Sequence, residues 1–253
     1  MWGSVNLKDI FLRNLKSKLR AIYLKEIFFP SLFGLLINPF YFARKGLANH
    51  LKDLAVNITG KTLDIGCGTK PYKGLYQSSE YIGLEIDTSK NREANQADVF
   101  YDGNDFPFND AIFDSVVANE VFEHVFNPDD FLSEMSRVIK QNGQVLLTMP
   151  FVWDEHEQPF DFARYSSFGI KSLLERHGFE VVEQRKSMND IRVIFQLLNA
   201  YIFKITFTKH AWLNGIYMIL LMAPFNILGE LLALITPKND DLYLDNIVLA
   251  KKR

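Results

Sequence analysis

From residue 61 onward, short apolar runs alternate with segments of helical spacing, and this rhythm most limits what the chain can fold into. Residues 61–64 lead into a glycine turn, Gly66-Cys67-Gly68. Residues 81–86 form a second run ending in the acids Glu85 and Asp87, and 112–118 form a third. Residues 131–139 have helical spacing, Asn142-Gly143 makes a turn, and 144–149 is a strand stopped by Pro150. Residues 170–177 read as a helix ended by Gly178, followed by strands at 179–183 and 246–250. Strands alternating with helices imply a parallel sheet covered on both faces.

The turn itself carries chemistry. Glycines let the backbone approach a ligand where a Cβ would collide. Asp64 just before them is ill placed for pyrophosphate, which it would repel, and well placed for a cation. The dinucleotide fingerprint needs a third glycine where this chain has Pro71, which opposes a nicotinamide dehydrogenase. No Gly-Lys-Ser/Thr follows, so a P-loop is absent too. Glu85, ending the next strand, is placed to accept ribose hydroxyls. Asp98 precedes a loop and Phe106-Pro107-Phe108, and is placed to accept an adenine amine. Three acids in this order fit a ligand with ammonium, ribose and adenine groups and no phosphate. S-adenosylmethionine is such a ligand.

Residues 64–68, Glu85, Asp98, the strand 111–118 and the stretch 143–150 resemble the motifs of the class I S-adenosylmethionine-dependent methyltransferases. The likeness covers residues 61–187 and the last strand, about half of the chain. It implies an α/β, seven-stranded Rossmann-like methyltransferase sheet with helices on both faces and an antiparallel last strand. It also implies that Gly66, Cys67 and Gly68 pass under the methionine part of the cofactor, with Asp64 anchoring its amino group. Glu85 would take the ribose and Asp98 the adenine. Asp87 either assists or caps the next helix, and Asn119 closes the cofactor set.

Methyl transfer is a direct displacement that chiefly needs alignment and needs no metal. A hydroxyl acceptor must also lose a proton, and histidine is the best-matched base near neutral pH. Two regions follow carboxyl ends of strands, where open α/β sheets bind ligands. One is Asn119-Glu120-Val121-Phe122-Glu123-His124; there His124 is either catalytic or a structural residue closing a helix start. The other is Trp153-Asp154-Glu155-His156-Glu157, with Asp161, Arg164 and Tyr165 beyond. His156 sits among four acids and is the preferred base or acceptor-orienting residue. Glu155, Arg164, Tyr165 and Trp153 are expected to hold the acceptor. No metal is expected, because the cluster lacks a second histidine at helical spacing.

The ends of the chain differ in charge. Residues 1–52 carry nine Lys/Arg against Asp9 and Glu26, a balance of +7 within a net charge of −2. Phe11, Leu12, Leu15, Leu19, Ile22 and Tyr23 recur at three- and four-residue steps, with Arg13, Lys16, Arg20 and Lys25 largely between them. That is a basic amphipathic helix. Residues 27–42 carry no charge and two prolines, Pro30 and Pro39, and read as a core helix pair or an interfacial segment. Residues 193–236 contain only Lys204, Lys209 and Glu230 as formal charges, and Pro224 and Asn226 disfavour a straight helix there. If the strands on either side share one sheet, a single membrane crossing is impossible. No secretory signal is apparent, and the single cysteine, Cys67, leaves no intramolecular disulfide.

These features divide the chain into a basic helical extension, 1–56, and a methyltransferase domain, 57–253, with a hydrophobic helical insertion at 190–238. The expected activity is methyl transfer, at oxygen, to a small-molecule, saccharide or lipid-linked acceptor. The expected setting is the cytoplasm, peripheral on an anionic inner membrane face. A hydrophobic lid or homodimer face competes with the membrane, and nucleic acid is disfavoured as a partner. The alternative class is a non-catalytic S-adenosylmethionine-binding or membrane-associated scaffold protein.

Overall fold

The computed structural model describes residues 7–94 and 96–253, without the side chains of 7–16 and 19. Seven strands form one sheet: β1 (Thr59–Ile65), β2 (Gln77–Ile86), β3 (Val99–Tyr101), β4 (Phe113–Asn119), β5 (Ile139–Pro150), β6 (Phe179–Lys186) and β7 (Asp245–Lys252). Their order is β3-β2-β1-β4-β5-β7-β6. β1 to β5 run parallel, and β7 lies antiparallel between β5 and β6. This is the expected Rossmann-like methyltransferase sheet. Strand order turns outward in both directions from β1 and β4, so a cleft opens at their carboxyl ends.

Nine α-helices are described: α1 (Leu7–Phe28), α2 (Gly34–Ile37), α3 (Tyr41–Leu54), α4 (Ser89–Ala94), α5 (Pro128–Val138), α6 (Ser167–Arg176), α7 (Arg192–Thr206), α8 (Ala211–Tyr217) and α9 (Ala223–Ala233). α5 starts with proline and two acids, which suit a helix N-terminus. It buries Phe131, Leu132, Met135 and Val138 against one sheet face. On α6, Ser166 caps the start by accepting from the Gly169 amide.

The opposite face departs from simple alternation. Between β1 and β2 there is only a 3₁₀ turn, Lys73–Leu75, not an α-helix. Pro71 and Gly74 leave little helix-forming sequence there. The vacant face is covered by α3, whose Leu47, Leu51 and Leu54 pack with Val117, Leu146, Ile247 and Leu249. Two further details differ from the expectation. Residues 99–101, read as loop, form the short edge strand β3. β5 begins at Ile139 and carries the Asn142-Gly143 turn inside it as a bulge, with Asn142 at φ 65°.

The insertion leaves β6 and returns to β7 at the same sheet end, since Lys186 pairs with Asn246. It forms a cap over the carboxyl ends of the strands. Residues 211–233 are one continuous 23-residue helical stretch, mostly unburied and long and apolar enough to cross a membrane. The irregularity expected from Pro224 is a π turn, Met218–Met222, in which the Ala223 amide reaches back to the Met218 carbonyl. A proline lacks an N–H, and the π turn absorbs the lost bond.

Buried amides fasten the cap to the N-terminal helices. Asn199 Nδ2 donates to Asn226 Oδ1 at 2.8 Å, and Asn226 Nδ2 donates to the carbonyls of Leu35 and Asn38. Gln196 Oε1 accepts from the Phe42 and Ala43 amides. Each amide is fully buried, where an unmade bond costs about 1–3 kcal/mol. These pairings fix the register between segments far apart in sequence.

The backbone of α1 bears out the expected N-terminal helix, but the side chains of Phe11, Leu12, Arg13, Leu15, Lys16 and Leu19 lie outside the described residues. Further along it, Arg20, Ile22, Tyr23, Leu24 and Lys25 are all exposed.

Candidate active site

β1 delivers the chain into Gly66, at φ +65°, where an added Cβ would sit 2.4 Å from Val121 Cγ2. Only glycine fits that contact and that dihedral. The Gly66 and Cys67 amides both donate to the Leu84 carbonyl, pinning the turn to β2. Gly68, at φ +47°, has nothing within 4 Å of where its Cβ would stand, so its surface is bare. Its amide donates to Glu85 Oε2 at 3.0 Å.

Asp64 lies behind the turn, 4% exposed, and accepts a 2.6 Å bond from the Tyr81 hydroxyl. Burial pushes its pKa up to about 7, against the lowering effects of Tyr81 and Lys70. Asp98 Oδ2 accepts from the Gly83 amide at 2.7 Å and from Lys70 Nζ at 2.6 Å. Burial opposes its ionisation, but those two donors outweigh it and hold the carboxyl below its ordinary range. Asp87 pairs with Arg92 of α4 through both oxygens, at 2.5 and 2.6 Å. The Cys67 thiol is buried and pushed up to about 12, mainly by desolvation and then by Asp64, so it is no nucleophile.

At the end of β4, Asn119 Nδ2 donates to the Tyr76 hydroxyl at 3.3 Å, while its buried Oδ1 has no protein partner. The bare surface over Gly68, the unpartnered Asn119 oxygen and the three acids suit a nucleoside bearing a cation in place of phosphate. The residues present therefore fit S-adenosylmethionine.

Beneath the cap lies a cavity of about 360 Å³. Its polar lining includes Arg44 of α3, Glu120, His156 and Asp245, and its apolar lining includes Trp153 and Phe203. Glu120 is held at φ 55° by amide bonds to Thr148. Burial raises its pKa, and burial with Glu120 beside it raises that of Asp245 well above its ordinary value. Asp245 keeps one bond, from the Ser187 hydroxyl at 2.9 Å.

His124 and His156 meet edge to face, with ring centroids 4.9 Å apart. His124 Nδ1 lies 2.8 Å from the Phe160 carbonyl, which only accepts, so Nδ1 carries the hydrogen. His156 Nδ1 bonds the Asp154 carbonyl at 3.3 Å, which only accepts, so it is likewise a donor, while Asp161 Oδ2, 3.2 Å away, accepts from the His156 backbone amide at 2.9 Å. Asp161 is held down to about 2, chiefly by its paired bonds from Arg164, at 2.5 and 2.7 Å. Both Nε2 atoms face Glu123 Oε1, at 3.7 and 3.8 Å. Glu123 is fully buried, and neither of its carboxyl oxygens has a hydrogen-bond partner.

The residues expected to hold the acceptor are not all together. Trp153 and His156 line the large cavity. Glu155 and Arg164 line a separate, shallower one of about 210 Å³, with Asp161. Arg164 is committed to Asp161 and to the Asp154 carbonyl. Tyr165 packs its ring on Phe122, and its carbonyl accepts from Asn246 Nδ2. Sequence reasoning did not single out Glu120, Glu123, Arg44, Asp245, Lys70 or Tyr81 as site residues. Two acids directly after a strand, Glu120 and Glu123, were a usable signal. Arg44 and Asp245 come from opposite ends of the chain and gave none.

Residues 63–147 match the family model described as a methyltransferase domain. Over that stretch the chain carries a methyltransferase domain, on the Rossmann-like sheet of the class I S-adenosylmethionine-dependent methyltransferases. It is an S-adenosylmethionine-dependent methyltransferase. It is similar to an uncharacterized protein of Methanocaldococcus jannaschii, 23% identical over 51% of this chain and 69% of the relative. It is also similar to an O-methyltransferase of Aspergillus nomiae, 26% identical over 49% of this chain and 65% of the relative. Among solved structures, Haemonchus contortus phosphoethanolamine N-methyltransferase 2 in complex with S-adenosyl-L-methionine aligns with TM-score 0.52. That alignment has 20% identity and covers 99% of this chain and 60% of the nematode enzyme.

Proposed function

We propose that the protein methylates a hydroxyl oxygen on a lipid-linked acceptor, from the face of a membrane. The carrying observation is the cavity under the cap: polar groups Glu120, His156 and Asp245 line it together with the apolar Phe40, Ala200 and Phe203. An acceptor with a polar reacting end and an apolar tail matches that division. The similarity to a fungal O-methyltransferase supports oxygen as the receiving atom.

Asp64 balances the charge of the cofactor's amino group, Glu85 takes the ribose and Asp98 the adenine edge. When bound, S-adenosylmethionine supplies a sulfonium methyl, which passes to the acceptor oxygen as the carbon–sulfur pair stays on sulfur. His156 takes the acceptor's proton on Nε2; the Asp154 carbonyl fixes its tautomer by accepting from Nδ1–H, and Asp161 holds its backbone amide. The cap roofs the cavity, and Lys204 ties it to the acidic loop through Asp154 Oδ2 at 2.8 Å. Incubation with methyl-labelled cofactor and a membrane lipid extract should label an organic-soluble product. Cofactor binding without any labelled product from lipid, saccharide or small-molecule fractions would favour the non-catalytic scaffold.

The membrane setting rests on the outer surface of the cap. Trp212, Leu220, Leu234 and Ile235 are 66–81% exposed, beside further exposed apolar residues on α7 and α2. Isolated apolar residues are ordinary on a surface, but this many on one insertion mark an interaction site. The insertion leaves and rejoins one sheet end, so it rests in the interface and does not cross once. The exposed basic residues of α1 suit anionic headgroups. The protein is expected to co-sediment with phosphatidylserine-containing vesicles. Salt, or Arg13, Lys16 and Arg20 replaced together by Glu, should weaken this severalfold; L220D with L234D should abolish it. A detergent-free dimer that stays in the supernatant would instead make this surface a subunit interface.

A further inference from the structure

We propose that Glu123, His124 and His156 bind one divalent transition-metal cation of the zinc or manganese type. One ligand atom from each of the three falls within 4.8 Å of the others. The two histidines are 32 residues apart and meet only because the loop after β5 folds back beside the end of β4.

Each ligand is prepared for an ion. Both Nδ1–H groups are spent on backbone carbonyls, those of Phe160 and Asp154, which leaves both Nε2 lone pairs directed inward. A metal-bound histidine characteristically donates its other ring N–H to a carbonyl or carboxylate in this way. The Nε2 atoms stand 3.7 and 3.8 Å from Glu123 Oε1, too far for hydrogen bonds. Two ligand atoms about 2.1 Å from a shared tetrahedral ion are separated by about 3.4 Å, so a small closing motion suffices. Glu123 adds the independent observation: its side chain is 1% exposed and aimed into the cluster, with both oxygens unpartnered. A buried carboxyl with no donor is expensive unless a cation answers it.

Two imidazoles and one carboxylate favour zinc or manganese over calcium or magnesium, which prefer all-oxygen sites. Three protein ligands leave a coordination position for water or substrate. His156 also lines the large cavity, so that position is available to an acceptor hydroxyl, whose proton an ion makes easier to lose. That use of the ion rests on the proposed oxygen methylation, whereas binding of the ion does not. With the ion present, His156 activates the acceptor through the metal.

The test is calorimetric titration of chelator-stripped, dialysed protein with Zn²⁺, Mn²⁺ and Mg²⁺ separately, with S-adenosylhomocysteine heat read on the same sample. One equivalent of Zn²⁺ or Mn²⁺ should bind and raise the melting temperature, with Mg²⁺ far weaker. Glu123→Gln should bind at least tenfold more weakly, and H124A with H156A at least a hundredfold. His177→Ala, whose ring pairs with Asp129 elsewhere on the surface, should match the wild type. Failure of wild-type protein to take up either ion, or uptake unchanged in the double variant, overturns the site. Should the double variant not fold, the wild-type titration and Glu123→Gln still decide. Loss of the S-adenosylhomocysteine heat alone would strike the methyl-transfer reading and leave the ion standing.

Discussion

Replacing His156 by alanine should lower the rate of methyl transfer about 10²–10⁴-fold, the usual range for a lost acid–base group. Affinity for S-adenosylhomocysteine should stay within about twofold, because His156 faces the acceptor cavity and not the glycine turn. Single-turnover transfer beside calorimetry separates the two. The Asp161→Asn variant gives a graded companion. The Asp161 carboxylate holds the His156 backbone amide and the Arg164 guanidinium; an amide loses the paired bonds from Arg164 and loosens the loop that positions the imidazole, so turnover should fall less than in H156A. Unchanged turnover in H156A would remove this histidine from the reaction, whether it acts directly or through an ion.

The second large effect belongs to Asp64. Asp64→Asn should weaken binding of cofactor and product about 10²-fold or more, the scale of truncating a buried charge partner. The fold should survive, since asparagine still accepts the Tyr81 hydroxyl bond and no longer buries a charge. The pH dependence has a definite sign. The native pKa of about 7 stands above the ordinary 3.8, so between these values the folded state binds a proton that the unfolded state releases. Stability of the ligand-free protein therefore falls as pH rises through that window. Glu120, Glu123 and Asp245 are raised by burial and act in the same direction. Cofactor affinity should do the opposite and climb toward pH 7–8, because the amino group of the ligand requires the carboxylate. Asp64→Asn should flatten that climb. Equal, pH-independent affinity in variant and wild type would exclude Asp64 from the cofactor site.

The cofactor half of the molecule was legible because its signals are local. Asp64, the glycines and Glu85 lie within one strand–turn–strand passage, and a strand's end is visible in its apolar run. β3 escaped notice because three residues at a sheet edge carry almost no periodicity. The missing helix after β1 went unrecognised because α3, from the extension read as separate, does its covering work. Boundaries drawn from composition cannot register such a substitution.

The acceptor half behaved differently. Glu155 and Arg164 looked like partners of His156 by nearness in sequence, yet they line another cavity. His124 and His156 looked unrelated, yet their rings touch over Glu123. Thus the amino-acid order by itself determined the sheet, the glycine turn and the phosphate-free nucleoside chemistry, all written within a few residues of one another. Only the tertiary structure decided which histidines meet, what lines the cavity and where the cap rests. Those depend on strand register and long-range packing, and no local pattern encodes a contact between residues dozens or hundreds of positions apart.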